Sequence, residues 1–212
     1  MAIAFDSSSY PATSNTKTWS HTTTGSDRLL IVIVASMSTV TRPSVTYGGV
    51  SMTRIDDSTY LNITGYYLIN PTVGANNITI STSLTVFNAV ASSYTGCSQI
   101  TQPDSFGYTY SSGTPVIAST TVAQNGCWLV GYGYIQYTGN IPTLDSNSLT
   151  TRASRGYNSS QNIMFIADSN GIVSTGSNST TVGFYASTAY SLVFSIASSV
   201  PPDSGGAFFA FF

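Results

Sequence analysis

A chain of 212 residues with 7% charged side chains and a net charge of −2 is long enough to bury a core, and too weakly charged for nucleic-acid work. One lysine (Lys17) and five arginines (Arg28, Arg42, Arg54, Arg152, Arg155) make no basic stripe, and the lack of any glutamate argues against helices, whose exposed faces draw on Glu, Lys and Ala. The longest apolar run, Leu29 to Ala35, falls far short of the ~20 residues of a membrane-crossing helix.

Taken in chain order, the N-terminal "MAIAFDSSSYPATSN" has neither the basic n-region nor the apolar run of a signal peptide, so the expectation is folding in the cytoplasm where the chain is made. Period-two alternation bounded by Gly, Asn, Asp, Ser and Pro then marks strand after strand. "TKTWSH" sets Lys17, Trp19 and His21 against Thr16, Thr18 and Ser20. "RLLIVIVAS" is apolar on both faces, as a strand covered on both sides must be, and is expected to be the spine of a sheet. "SVTYGGVSMTRI" carries Gly48 and Gly49 between two β-rich arms, the pair that supplies the positive φ angles of a two-residue hairpin turn. "STYLNITGYYLIN", "NNITIST" and "VFNAVASSYTG" continue the series, and a Gly-, Ser- and Tyr-rich loop is expected from Cys97 to Gly113.

The second half repeats the style with "PVIASTTVA", "CWLVGYGYIQY", "NIMFIAD", "TTVGFYA" and "YSLVFSIAS". In the last, Tyr190, Leu192, Phe194 and Ile196 share one face opposite Ser191, Ser195 and Ala197, a half-buried pattern. Many short strands with no helical crossover predict an all-β, antiparallel, jelly-roll-like β-sandwich with essentially no helix. One sandwich is expected over 1–199, followed by a Pro/Gly-spaced apolar tail over 200–212.

The ordered series "GSDRLLIVIVASMS", "SVTYGGVSMTRI", "YYLINPTVGANNITIS" and "AVASSYTGCSQ", closed by "YSLVFSIASS", resembles the jelly-roll-like β-sandwich domain of bacteriophage virion structural proteins and of bacterial surface proteins. The resemblance covers roughly residues 20 to 200 as a pattern of strands and brings no active-site residues with it. It implies a structural or adhesive module, and without a signal peptide it favours a virion component made in the host cytoplasm, a capsid decoration (cement) protein or another part of the particle. The partners implied are copies of the chain itself, a trimer among the options, and other virion proteins such as the capsid shell.

Catalytic chemistry has little to stand on. His21, the single histidine, sits on an alternating strand without a surrounding motif, and serines are too abundant for any Ser-His-Asp combination to carry weight. No catalytic residue, metal ligand or cofactor is assigned. Asp56 with Asp57, and "DSNG" at Asp168 to Gly171, show too little of a calcium-ligand pattern, and Asp145 and Asp168 read as turn caps. The sequons at Asn62, Asn77, Asn158 and Asn178 are expected by chance in so Ser/Thr-rich a chain, and Cys97 and Cys127 read as two separate buried thiols.

The alternative to a particle component is a carbohydrate-binding adhesin or receptor-binding module. It would stack a surface glycan on Tyr108 and Tyr110, or on Trp128, Tyr132 and Tyr134, which alternate onto one face. Cross-strand packing is the preferred reading of those aromatics. At the C-terminal end, Pro201, Pro202 and Asp203 to Gly206 separate "AFFAFF" from the last strand. Phe208, Phe209, Phe211 and Phe212 are therefore expected to dock on a partner, since four phenylalanines left in water promote aggregation.

Overall fold

The computed structural model describes residues 1–36, 42–55, 62–84, 87–100, 102–111, 116–136, 145–146, 149–157, 162–183 and 188–199. Among them the chain forms seventeen strands and no helix. The first nine are β1 (Ala4–Ser9), β2 (Thr18–Thr23), β3 (Leu29–Ala35), β4 (Ser44–Tyr47), β5 (Val50–Ser51), β6 (Thr53–Arg54), β7 (Ile63–Ile69), β8 (Gly74–Ser81) and β9 (Asn88–Thr95). The rest are β10 (Ser105–Ser111), β11 (Val116–Val122), β12 (Trp128–Gln136), β13 (Asp145–Ser146), β14 (Thr150–Tyr157), β15 (Asn162–Asp168), β16 (Gly176–Gly183) and β17 (Thr188–Ile196).

These strands fall into four antiparallel sheets. The first half builds an inner sheet in the order β1-β9-β3-β7-β6 and an outer sheet in the order β2-β8-β4-β5. Successive strands are dealt to the two sheets with the first beside the last, which is the jelly-roll order. The second half repeats the plan, with β10-β17-β12-β15-β14 inside and β11-β16-β13 outside. Strand for strand, β10 stands for β1, β11 for β2, β12 for β3, β14 for β6, and β15 to β17 for β7 to β9. Even the joints agree, since Gly74 (φ 96) opens β8 and Gly176 (φ 105) opens β16.

Within 1–199 the described strands form two jelly-roll halves that pack through their inner sheets. β9 lies against β15, β7 against β17 and β1 against β14. A shared apolar layer fills the space between them. The first roll contributes Leu29, Ile31, Ile33, Val90 and Tyr94, and the second contributes Trp128, Val130, Tyr132, Tyr134, Leu192, Phe194 and Ile196.

This stacking explains β3. Leu29, Ile31, Ile33 and Ala35 face the second roll, while Leu30, Val32 and Val34 face the outer sheet of their own roll with Trp19, Val45, Tyr47, Ile78 and Phe87. Both faces must be apolar because both are covered, and full burial of each large side chain stabilises by about 1.5–3 kcal/mol. As expected, β3 is the centre of its sheet.

The hairpin reading also stands. Gly48 (φ 55) and Gly49 (φ 83) form the two-residue turn that pairs Tyr47 with Val50.

Two expectations are corrected. The supposed loop from Cys97 to Gly113 contains a full strand, β10, paired to β17 from Ser105↔Ser195 to Ser111↔Ala189. Its Gly107 is required there, because a Cβ would lie 1.7 Å from the Ser119 carbonyl oxygen. β17 is buried on both faces rather than one: Ser191 and Ser195 are buried, and Val193 and Ala197 pack with Ala118, Val122, Cys127 and Leu129 in the second roll. An outer sheet covers the face that the sequence pattern assigned to solvent.

Residues 200–212, with the expected apolar tail, lie outside the described residues.

Candidate functional site

Polar chemistry concentrates at the seam where the edge strands β1 and β14 meet. β14 carries Arg152, and β15 ends at Asp168, whose side chain is fully buried. The Arg152 Nε donates to Asp168 Oδ2 at 2.7 Å and its Nη2 donates to Asp168 Oδ1 at 2.9 Å, a two-pronged pair whose planar geometry only arginine supplies. The same Nη2 reaches Asn170 Oδ1 at 2.7 Å. Asp168 raises the Arg152 pKa further above its ordinary value.

The pair ties the two rolls together. Tyr94 on β9 donates its hydroxyl to Asp168 Oδ2 at 3.3 Å, and the Arg152 guanidinium lies 4.6 Å above the Phe5 ring on β1. Nearby, Ser92 on β9 and Tyr132 on β12 join hydroxyls at 2.5 Å across the shared layer. Burial pushes the Tyr94 and Tyr132 phenols well above their usual range, so both remain neutral donors.

Beside this clasp lies a cleft of about 480 Å³ lined by Ser8, Ser9 and Tyr10 of the first roll and Arg152, Ala153 and Ser154 of the second. Three serines, Ala153, Arg152 and Tyr10 thus surround it, and Tyr10 is substantially exposed.

His21 lies behind β1, between the sheets of the first roll, and is 2% exposed. Its Nδ1 is 2.8 Å from Ser9 Oγ, and its Nε2 lies 3.1 Å from Ser93 Oγ and 3.3 Å from Ser7 Oγ. Trp19 Nε1 donates to Ser9 Oγ at 3.0 Å, Ser93 donates to Asp6 Oδ2 at 2.7 Å, and Ser7 donates to the Thr22 carbonyl at 2.5 Å. Those partners assign the tautomer: Ser9 gives its proton to Nδ1, and Nε2–H donates to Ser93 and Ser7. Burial lowers the His21 pKa to about 4, against a smaller opposing effect of Asp6, so the ring is neutral at pH 7. An imidazole so enclosed ties β1, β2 and β9 together.

The aromatics proposed for glycan stacking separate into two groups. Trp128, Tyr132 and Tyr134 are buried in the shared layer and offer no face to a sugar, which corrects that assignment in favour of cross-strand packing. Tyr108 is half-buried against the same layer, while Tyr110 is 46% exposed and sits 5.1 Å from the Tyr190 ring.

Phe208, Phe209, Phe211 and Phe212 lie outside the described residues, as do Asp56 and Asp57. Asp168 does cap its turn, accepting from the Asn170 N–H at 2.9 Å, but the sequence pattern gave no hint of its arginine. That partner sits on β14, a strand without apolar alternation. Among the described residues no three His, Cys or Asp side chains gather as a metal site. Cys97 and Cys127 are both free and buried, and burial pushes the Cys97 thiol up to about 12. Asn62 is buried, with its Nδ2 donating to the Ser36 carbonyl at 3.0 Å.

No protein-family model matches the chain, and no curated protein or solved structure matches it either.

Proposed function

We propose that this protein is a non-enzymatic virion structural component, a capsid decoration protein that assembles with copies of itself and with the shell. The observation that carries the reading is where the reactive side chains are spent. Asp168, Arg152, Tyr94 and Tyr132 are engaged in welding two jelly rolls into one four-sheet block, and His21 is spent in tying β1, β2 and β9 together within the first. Such a block works by area, presenting Ser/Thr-rich sheet surfaces and chain ends to a lattice. Jelly rolls serve in viral capsids and in lectins alike, so the strand order supports this class of function without selecting a member.

The test is assembly. Light scattering of the full chain is expected to show concentration-dependent association, and mass spectrometry of disrupted particles to find the chain. Removing Ala207 to Phe212 should leave a folded monomer that no longer associates. A wild-type chain that stays monomeric and is absent from particles defeats the reading.

The carbohydrate-binding alternative is favoured by one observation, the serine-lined cleft that includes the partly exposed Tyr10. Glycan-array binding abolished by Tyr10→Ala would establish it, and a blank array would remove it.

A further inference from the structure

The cleft at the seam is lined by one charged side chain, Arg152, and the way that side chain is held decides what the cleft can take. The Phe5 ring lies 4.6 Å from the guanidinium, Nε and Nη2 grip the buried Asp168 carboxylate, and Nη2 also reaches Asn170 Oδ1. Nη1 is left over, with two N–H donors and no acceptor among the described residues. No arginine nitrogen is among the described buried polar atoms that lack a partner, so Nη1 meets solvent.

The three serines of the cleft are in different states. Ser9 is committed, donating to His21 Nδ1 at 2.8 Å and accepting from Trp19 Nε1 at 3.0 Å. The hydroxyls of Ser8 and Ser154 have no partner among the described residues, and Ser154 is exposed. The strand plan does not demand serine at position 8. Ser8 pairs with Ser92, which pairs with the third residue of β3; at the equivalent place in the second roll Phe106 pairs with Phe194, which pairs with the third residue of β12. Tyr10, 42% exposed, completes the lining as its one aromatic residue.

Hydrogen-bond donors therefore dominate a site that carries no net charge, because the single positive charge of Arg152 is balanced by Asp168. An acidic ligand would bring its carboxylate to a guanidinium already neutralised, losing hydration with no unmatched cation in return. A neutral sugar brings hydroxyl and ring oxygens as acceptors without that cost, and an apolar ring face that suits tyrosine. The volume of about 480 Å³ is within the range of small-ligand clefts.

We propose that the seam cleft binds a neutral saccharide, with Arg152 Nη1 and the Ser8 and Ser154 hydroxyls holding its oxygens and Tyr10 packing on its ring. The inference rests on the carbohydrate-binding reading above and names the class of sugar and the groups that hold it. It does not compete with assembly, since it draws on the edge strands β1 and β14 and leaves the sheet faces and chain ends free. Asp168 and Phe5 act through the arginine, fixing its fork before the sugar arrives so that little entropy is lost on binding.

The test applies the full chain to an array of neutral oligosaccharides printed beside their sialylated and uronate-bearing counterparts, followed by calorimetric titration with the best-bound neutral oligosaccharide. The neutral sugars should bind, and the acidic counterparts should bind about tenfold more weakly. The affinity should be the same at low and high salt, because no net charge is recognised. Removing Arg152 costs stability, so the cleft is tested from its exposed serine: Ser154→Trp, which fills it, should melt like the wild type and lose binding. Tyr10→Ala and Ser8→Ala, which add no bulk, should each weaken it. Preference for the acidic sugars, with an affinity that falls as salt rises, overturns the neutral class and leaves the carbohydrate-binding reading in place. Binding that survives all three substitutions overturns the cleft as the site and again leaves that reading in place. A blank array overturns both.

Discussion

The first roll closes over one continuous interior, in which Trp19, Leu30, Val32, Tyr47, Ile78 and Phe87 belong to a single cluster. The second roll, on the same strand plan, closes over two smaller clusters among the described residues. One lies around Ile135, Ile163 and Phe165 and the other around Leu129, Val193 and Ala197. Between them β12 and β17 bring Gly133 opposite Ser191, and the Phe165 ring fills the space a Gly133 side chain would need. The comparison teaches that the jelly-roll order tolerates quite different filling, provided each roll has a neighbour to share the load. The second roll also gives Trp128, Tyr132, Tyr134 and Phe194 to the shared layer.

The arginines sharpen this contrast. Arg28 in the first roll donates to the Gly25 and Pro71 carbonyls and to Asn70 Oδ1, all neutral acceptors. Arg152 in the second holds a fully buried carboxylate. Arg152→Ala should destabilise by about 3–5 kcal/mol, because it strands the Asp168 charge, whereas Arg28→Ala should cost about 1–2 kcal/mol. Denaturant melts of the two variants measure the gap, and equal costs would remove the clasp from the account.

Acid should act on the first roll, which holds the single histidine. His21 titrates near 4 when folded and near its ordinary 6.5 when unfolded, so below pH 6.5 the unfolded chain binds the extra proton. Its contribution is complete above about 6.5 and is lost as pH falls toward 4, a change of about 3 kcal/mol. His21→Asn should be less stable at pH 7 and show a flatter dependence between pH 7 and 4. A wild type with no slope in that window contradicts the buried neutral ring.

The smallest effect falls where β12 meets β15 at Gly133 and Phe165. A methyl at Gly133 would sit 1.8 Å from the Phe165 ring, so Gly133→Ala should cost about 1–3 kcal/mol, and Phe165→Leu in the same chain should return part of it. Failure of the double variant to recover would place the strain elsewhere than the ring.

The strands that the sequence pattern reveals and those it hides divide along the same lines. β3, β7, β9, β12, β15 and β17 are legible because burial forces apolar residues on them. β1, β10 and β14 escape notice, and all three are edge strands of the inner sheets. An edge strand is paired on one side and wetted on the other, so "AFDSSS", "SFGYTYS" and "TTRASRGY" carry serine, glycine and arginine where alternation would otherwise appear. The seam and the cleft both draw on β1 and β14. That is why Trp128, Tyr132 and Tyr134 looked like candidates for a surface they never reach. Their alternation was visible, but the inner sheet of the first roll that buries them was not.

Scanning calorimetry at pH 7 of the chain shortened to residues 1–206 tests the shared layer most directly. Two rolls fused through Leu29, Ile31, Tyr132 and Phe194 should unfold in one transition, with the calorimetric enthalpy equal to the van't Hoff enthalpy. Two separated transitions, with Arg152→Ala shifting only one of them, would show two independent sandwiches and contradict the account.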